Sequence, residues 1–559
     1  MRARKLTAVI STLAILAAML AGCGGSGSTG SSSSSAAASA GSSSEGSSSV
    51  AESSSGTETS AGGGIITVAY TTAWDSLMPY NSSSGSMWNS EVLDKLYDRL
   101  AFTDIGGSQV LPRGAASWES ADDHMAIIFH LDENATWSDG EPVTANDWVY
   151  TVNLITNPAL AAAQGSAFKS LAGTDGSGKA VSEGSVGVEA LDDYTLKFTL
   201  KAATDPDEWL VAYNRGIYVL PEHILKDIPT ESLLTDDIWT HPVGSGPLVY
   251  ESEVIGSELV LSAKEGYQLG TPGFSKMVCT VMDASNTLNA RISGDIDMVA
   301  LGNQVNTDDI ELAEASGLTV IQDELPTSFT EMLINNTNVD NNLVRQAMWY
   351  ALDMDTITAL MTDGYGTPAD TYIMPGSEYE NTDISVSYDP DHAKQLLDEA
   401  GYDGTVYTMA CGSSREELVS LMQQYYDAIG FNMEIALVDV ATMFSGMKDG
   451  TYDLGISAHT ATANPLWFCT ATSFYQVGNS SYSVIDTTFT DYFDNISATF
   501  DKSAKIELVK DFQSYIAEQV PFIPLWFSAS TRLECPTVSG INYGASGMCN
   551  DNVWDWVKE

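Results

Sequence analysis

Apolar positions follow a helical period in some segments of the chain and a strand period in others. From Val344 to Leu352 they recur every three or four residues, which predicts a helix with one stripe facing a core. From Thr195 to Leu200 they alternate with polar neighbours, which predicts a half-buried strand. Both patterns alternate along the chain without a repeat of fixed period. This indicates an α/β fold rather than a solenoid or a propeller.

Two segments carry local signals for helix ends. The segment from Asp389 to Gly401 opens with an N-cap residue followed by proline and closes with the glycine that commonly ends a helix. The segment from Trp137 to Trp148 combines an Asp-Gly turn with a capping box formed by Thr144 and Asp147. We therefore predict a turn and a helix start here, with a structural role for the acidic residues.

The amino terminus has the organisation of an export signal. Three basic residues precede an apolar run from Leu6 to Leu20, which is shorter than the ~20 residues that a membrane-spanning helix needs. The four residues ending at Cys23 resemble the lipobox of bacterial lipoproteins. We predict a signal peptide over residues 1–22 and lipidation of Cys23. An ordinary signal peptide with an incidental cysteine is the alternative.

Residues 23–64 are predicted to form a tether. Nearly every residue from Gly24 to Gly64 is Ser, Gly, Ala or Thr, a composition that cannot bury a core and behaves as a flexible chain. A chain of about 40 such residues has a root-mean-square reach of about 35 Å. We therefore expect an extracytoplasmic domain that is lipid-anchored to the outer face of the cytoplasmic membrane.

The rest of the chain is strongly acidic and too long for a single core. The sequence has 74 acidic and 24 basic residues, a formal net charge of −50, which would repel a phosphate backbone. Nucleic acid is therefore not expected as a partner. The roughly 495 residues beyond the tether predict two or more domains.

Sequence signs of a metal site, a cofactor or catalysis are weak. The segment from Gly173 to Ala180 lacks the hydroxyl residue of a phosphate-binding loop and is predicted to be a surface loop. The histidines are scattered, and we expect no metal and no cofactor. The cysteines beyond Cys23 show no zinc-type spacing, and their odd number predicts at least one buried thiol. They are Cys279, Cys411, Cys469, Cys535 and Cys549, of which the last two could form a disulfide.

Several motifs in consecutive order resemble those of the family 5 extracellular solute-binding proteins, which include oligopeptide, dipeptide and nickel binders. The segment from Trp137 to Asp147 follows the pattern W-S-D-G-x-P-x-T-A-x-D of that family. The other matching segments are Ala116 to Trp118, Gly244 to Pro247, Arg291 to Met298, Val344 to Asp353, Tyr388 to Tyr402 and Pro521 to Leu525. Together they extend from about Ile65 to the carboxyl terminus.

The resemblance implies a two-lobed α/β fold of the periplasmic-binding-protein (Venus flytrap) type, class II. Lobe one would span residues 65–326, with an inserted subdomain at about residues 91–239. Lobe two would span residues 327–526, and residues 527–559 would return to lobe one. Closure of the lobes over a cleft would bury the solute.

The function implied is capture of an extracellular solute, an oligopeptide, and its delivery to the membrane permease of an ABC importer with a separate ATPase. No enzymatic activity is implied. The same fold binding a non-peptide solute, such as a sugar or a metal complex, is an alternative. A secreted hydrolase that uses two carboxylates as acid and base is another.

The resemblance also implies which residues contact the solute. In lobe one they follow the first strand, and in lobe two they lie in a later loop: Tyr70, Thr71, Thr72, Trp74, Ser457, His459 and Thr462. Arg415 is expected at the start of a helix capped by Ser413 and Glu416, where a guanidinium could bind a carboxylate through two hydrogen bonds. A solvated arginine at a helix start is the alternative.

The lobe-two loop departs from the pattern of peptide binders in one respect. Those proteins carry an aspartate that pairs with the α-ammonium of the peptide, whereas Thr462 and Asn464 occupy the corresponding positions. A buried ammonium without a carboxylate partner is costly. Either another acid such as Asp439 substitutes, or the solute is not a peptide with a free amine.

Overall fold

A computed structural model describes residues 63–81, 86–103, 109–160, 162, 164–213, 216–461, 487–542 and 552–559. The predicted signal peptide, Cys23 and nearly all of the tether lie outside these ranges. Thr462, Asn464, Cys469 and Cys549 lie outside them as well. In the ranges described, no helix has both the length and the apolar composition needed to cross a membrane.

Strands and helices alternate along the described chain. The strands are β1 (Ile65–Tyr70), β2 (Ala101–Thr103), β3 (Val110–Pro112), β4 (Ala115–Ser120), β5 (Ala126–Leu131), β6 (Val188–Asp192), β7 (Thr195–Thr199), β8 (Leu248–Val254), β9 (Glu258–Ala263), β10 (Lys276–Val281), β11 (Met298–Val299), β12 (Val320–Gln322), β13 (Ser328–Ile334), β14 (Gly366–Pro368), β15 (Val406–Cys411), β16 (Asn432–Leu437), β17 (Leu454–Thr460), β18 (Phe522–Ser528), β19 (Thr531–Leu533), β20 (Val538–Ser539) and β21 (Val557–Lys558). The α-helices are α1 (Met87–Leu96), α2 (Ala145–Thr156), α3 (Pro206–Tyr213), α4 (Glu222–Leu225), α5 (Thr230–Leu233), α6 (Ala284–Ser293), α7 (Ile310–Ala315), α8 (Asn342–Tyr350), α9 (Met354–Met361), α10 (Pro390–Ala400), α11 (Glu416–Ile429), α12 (Val440–Asp449), α13 (Thr487–Ala498) and α14 (Lys502–Gln519).

The local signals read from the sequence are present in the structure. Helix α8 buries Val344, Ala347 and Met348, and strand β7 is half-buried as its alternation predicts. The Asp389 side chain accepts a hydrogen bond from a backbone N–H of α10, which Gly401 ends in the left-handed conformation. These predictions are confirmed. They could be made because each depends on residues that are close together in sequence.

The acidic residue of the predicted capping box is structural, as expected. A carboxylate oxygen of Asp147 accepts the backbone N–H of Thr144 at 2.8 Å, and the other accepts the N–H of Glu222 at 2.9 Å. The glycine-rich segment predicted as a surface loop also lies between regular elements. There the Lys179 ammonium donates to the carbonyl oxygens of Ile155 and Leu160 at 2.9 Å each, so it is engaged by backbone.

The first half of the chain builds an amino-terminal sheet and a small sheet on one core. The amino-terminal sheet has the strand order β11-β1-β10-β9-β8, with β1 parallel to β10 and β11. The small sheet has the order β4-β5-β7-β6 and is antiparallel. Their shared core includes Val68, Phe129 and Phe198, and Val553 and Trp556 near the carboxyl terminus pack into it.

The second half builds the carboxy-terminal sheet, with the order β14-β18-β13-β17-β15-β16. Alternate residues of β13 face two different cores, since Met332 and Ile334 belong to one and Phe329 and Leu333 to the other. A strand buried on both faces reads as a nearly continuous apolar run, which explains the composition of β13. Helices cover both faces of this sheet.

The chain passes between the two large sheets through β12 and returns through β19. These strands pair antiparallel and form a connecting segment. The Arg532 side chain is fully buried there, where its guanidinium binds the Asp323 carboxylate and the Gly302 carbonyl oxygen. Asn303, with a positive φ of 54°, donates to the Leu533 carbonyl oxygen. The connecting segment is therefore held by buried polar contacts.

Candidate functional site

The carboxyl ends of the parallel strands in the amino-terminal sheet lie on one edge. Strands β1, β10 and β11 end there, and β11 continues through Gly302 and Asn303 into the connecting segment. In open α/β sheets, ligands bind outside the carboxyl ends of the strands. The loop from Thr71 to Trp74 follows β1 at this edge.

The corresponding edge of the carboxy-terminal sheet also adjoins the connecting segment. Strand β15 is parallel to β16 and β17, and all three end at this edge. Strand β13 starts there beside the end of β17, and β18 ends there before the chain enters β19. Both carboxyl edges therefore adjoin the segment that joins the sheets. We take the region between these edges as the candidate cleft.

At the end of β1 and in the loop that follows, the threonines are accessible to solvent, whereas the aromatic residues are buried. Thr72 is exposed and Thr71 is half-buried. Tyr70 is fully buried, with its ring 5.5 Å from that of Trp74 in an edge-on contact. The Trp74 ring is also buried, and its Nε1–H donates to a Glu253 carboxylate oxygen at 2.6 Å. The two rings therefore pack against each other in the protein interior. That either ring contacts the solute stays a prediction.

Arg415 lies at the carboxyl edge after β15, in a 3₁₀ turn (Ser413–Arg415) that leads into α11. The expectation that Ser413 and Glu416 cap this helix is wrong, because the turn places Ser413 within the helical path and no side chain caps α11. The Arg415 side chain is half-buried and forms no ion pair with a residue of the described ranges. A role in binding a carboxylate stays a prediction.

Asp439 follows β16 at the same edge and caps α12. One carboxylate oxygen accepts the Thr442 N–H at 2.9 Å and the other accepts the Thr442 hydroxyl at 2.7 Å. The side-chain hydrogen bond from Thr442, followed by the backbone one, lowers the pKa of Asp439. This carboxylate already has a structural partner on each oxygen.

Ser457 and His459 lie near the end of β17, on the face that also carries Glu331 of β13. The His459 Nε2 atom is 2.9 Å from a Glu331 carboxylate oxygen and 3.3 Å from the Ser457 hydroxyl. Burial alone lowers the pKa of His459, but the hydrogen bond and the charge of Glu331 outweigh it. The pKa therefore lies above its ordinary value.

Glu331 is the residue of this site that sequence reasoning missed. It is 1% exposed, yet it lies in the middle of the apolar strand β13. A single acid within a buried strand was the available signal, because an ionised carboxylate is buried only with a partner. The partner His459 is 128 positions away in sequence, so the pairing itself could not be read from local pattern.

The described residues contain no group of three His, Cys, Asp or Glu side chains that could hold a metal ion. Cys279 and Cys411 are buried thiols, which confirms that expectation. The buried Cys535 thiol accepts from Asn303 at 3.2 Å and donates to the Asp297 carbonyl oxygen at 3.3 Å. Its pairing with Cys549 lies outside the described residues.

Residues 109–481 match the family model of the bacterial extracellular solute-binding proteins, family 5 middle. The chain belongs to this family. This family 5 chain is 25% identical over 381 residues to a Brucella abortus protein named as an ABC transporter peptide-binding protein. That match covers 65% of the chain and 66% of the relative, so the chain spans about two thirds of that relative's length.

Solved structures share the fold of this family 5 chain. The ABC transporter substrate-binding protein CtaP of Listeria monocytogenes has a TM-score of 0.73 at 22% identity, covering 89% of this chain and 99% of that one. The oligopeptide-binding protein AppA of Bacillus subtilis, in complex with a nonapeptide, has a TM-score of 0.65 at 21% identity, with the same coverage. The predicted two-lobed α/β fold of periplasmic binding proteins is confirmed.

Proposed function

We propose that this family 5 chain is the extracellular receptor of an ABC importer and captures a peptide between its two lobes. The observation that carries the proposal is the convergence of both carboxyl edges on the connecting segment. The residues that we propose to contact the solute lie at these edges, Thr71 and Thr72 at one and Arg415 and His459 at the other, and none of them is fully buried. The nonapeptide complex of the Bacillus subtilis protein supports a peptide as the solute.

The bounds of the proposed lobes correspond to the apolar cores of the two halves of the chain. Lobe one comprises residues 65–326 with an insertion at about residues 91–239, and lobe two comprises residues 327–526. Residues 527–559 return to lobe one, a proposal supported by the burial of Val538 and Trp556 in its core. Strands β12 and β19 are the proposed hinge, because they carry the chain in both directions.

Two side-chain contacts reach from the lobe-one insertion to lobe two. The Lys505 ammonium of α14 binds the Glu208 carboxylate of α3, and both side chains are largely buried. The His124 ring, in the turn between β4 and β5, stacks on Phe500 with 3.8 Å between ring centroids. We propose that these contacts form when the lobes close on a solute.

We also propose that Cys23 carries a lipid and that residues 23–64 tether the receptor near its permease. The lipobox and the Ser/Gly-rich composition support this, since such a chain keeps the domain local to the membrane. The solute would pass to a permease driven by a separate ATPase. No turnover of the solute is part of this function.

Mass spectrometry of small molecules released from purified, denatured protein tests the peptide assignment. We expect short peptides at up to one per chain. A peptide at ~100 times its dissociation constant should stabilise the folded protein by about 2.7 kcal/mol, which raises the melting temperature. If no peptide is released and no peptide raises the melting temperature, the assignment is wrong. A sugar or a metal complex that does so would replace it.

A further inference from the structure

The loop that follows β1 at the edge of the candidate cleft carries Thr71 and Thr72. In the described chain, no backbone-to-backbone hydrogen bond involves residues 72–79. Side chains of neighbouring elements hold this loop instead. Since a loop without such contacts samples many conformations, these side chains decide where the two threonines lie.

Asn89 makes the central contact with the loop. It lies in the first turn of α1 and is 1% exposed. Its side-chain oxygen accepts the Asp75 N–H at 2.9 Å, and its Nδ2–H donates to the Ser76 carbonyl oxygen at 3.1 Å. One side-chain amide therefore satisfies a backbone donor and a backbone acceptor, as a paired strand would.

Helix α1 gives Asn89 a fixed position. Val92, Leu93 and Leu96 of this helix are fully buried in the core that it shares with the amino-terminal sheet. Cores are closely packed, so the helix cannot shift without displacing its neighbours. A rigid element therefore presents the amide of Asn89 to the loop.

The two threonines lie between fixed points of the chain. On one side, the Tyr70 carbonyl oxygen accepts the Met282 N–H at 2.9 Å. On the other side, the Trp74 Nε1–H donates to a Glu253 carboxylate oxygen at 2.6 Å, and Asn89 holds the two residues that follow. A short segment between two anchors has few conformations, and it gains conformations when one anchor is removed.

We propose that Asn89 is a positioning residue of the solute site, which holds the loop after β1 in the conformation in which Thr71 and Thr72 contact a peptide. This inference rests on the proposed function. Asn89 is buried behind the loop and acts on the solute through it. Folding of the protein orders the loop in advance, so the ordering does not weaken the binding of the peptide.

Asn89→Ala should weaken peptide binding by about tenfold, because fixing the backbone of even one residue during binding changes the equilibrium constant by about that factor. The probe is the member of a library of short peptides that raises the melting temperature of the unaltered protein most. Calorimetry measures its dissociation constant for each variant.

Asn336→Ala is the matched control. Asn336 is 2% exposed, and its side-chain amide donates to the backbone carbonyl oxygens of Ile334 at 3.0 Å and Pro521 at 2.9 Å. It follows β13 at the edge of the carboxy-terminal sheet opposite the candidate cleft. Both variants should lower the melting temperature, but Asn336→Ala should leave the dissociation constant of the probe unchanged.

Hydrogen exchange separates positioning of the loop from a general loss of stability. Without peptide, the backbone amides of residues 72–78 should exchange faster in Asn89→Ala than in the unaltered protein, because the loop opens locally. The bound probe should slow this exchange. In Asn336→Ala, the exchange of the loop should match that of the unaltered protein.

The outcomes distinguish this inference from the proposed function. If Asn89→Ala binds the probe as tightly as the unaltered protein, if both variants weaken binding equally, or if exchange of the loop is unchanged, the inference is wrong and the peptide function stands. If no peptide of the library binds the unaltered protein, the peptide function fails and the inference fails with it.

Should Asn89→Ala not fold, Asn89→Asp takes its place. At neutral pH its carboxylate keeps the acceptor for the Asp75 N–H but offers no donor to the Ser76 carbonyl oxygen. It should therefore also weaken binding of the probe and speed exchange of the loop. Binding and exchange equal to those of the unaltered protein would overturn the inference.

Discussion

At the scale of single residues, buried charged side chains of the described chain such as Arg532 are held by partners. Arg532 in the connecting segment has no solvent exposure, and its guanidinium is held by the Asp323 carboxylate and a backbone carbonyl oxygen. Removing one partner of such a pair leaves the other charge buried without compensation, which costs more than the pair itself contributes. Glu331 is likewise a buried acidic residue with a partner, His459.

Arg532→Ala should therefore destabilise the protein strongly. We expect a loss of about 3–5 kcal/mol in the free energy of unfolding, because Asp323 loses its buried cation. Lys502→Ala is the matched control, since Lys502 and its partner Glu378 are 66% and 51% exposed, and it should cost about 1 kcal/mol or less. Urea unfolding measures both variants. Equal and small losses would show that the connecting segment does not depend on this pair.

At the scale of elements, the sequence predicts features that depend on residues close together in the chain. It does not predict features that depend on contacts between distant segments. The ends of α10 could be predicted because Asp389 and Gly401 act on adjacent backbone. The start of α11 was mispredicted, since a 3₁₀ turn extends the helical path past Ser413. The burial of Tyr70 and the Glu331–His459 pair depend on strand pairing between distant segments, which local pattern does not contain.

The contact between α3 and α14 should make closure depend on pH. Burial raises the pKa of Glu208 from an ordinary value of 4.5 to about 7, although Lys505 acts against this; Asp205 and Asp207 add to the rise. Because the closed state buries Glu208 and favours its protonated form, closure is most favourable below the ordinary value, and this contribution is lost as pH rises through about 7. We expect closure with peptide to weaken over that range.

Small-angle scattering of the peptide complex from about pH 5 to about pH 9 measures this effect as a change in the radius of gyration. Glu208→Gln removes the titrating group and should flatten the profile. Glu222→Gln, a substitution on α4 of the same lobe, is the control and should leave the profile unchanged. A pH dependence that survives Glu208→Gln would contradict this account of the contact.

At the scale of the whole molecule, the family motifs predicted the two-lobed architecture, whereas the periodicity of apolar residues indicated only an α/β fold. The segments from Trp137 to Asp147 and from Val344 to Asp353 indicated the two-lobed fold, which the family match and the related structures confirm. The solute was not predictable in the same way. The binding residues that we propose come from both lobes, and Glu331 lies where no family motif pointed.

The most direct measurement of the central claim is a titration of the protein with peptides that it releases or that stabilise it, followed by tryptophan fluorescence and analysis of the recovered peptide. The account predicts saturation at one peptide per chain and recovery of that peptide intact. Hydrolysis of the peptide, or the absence of saturable binding by any peptide, would contradict it.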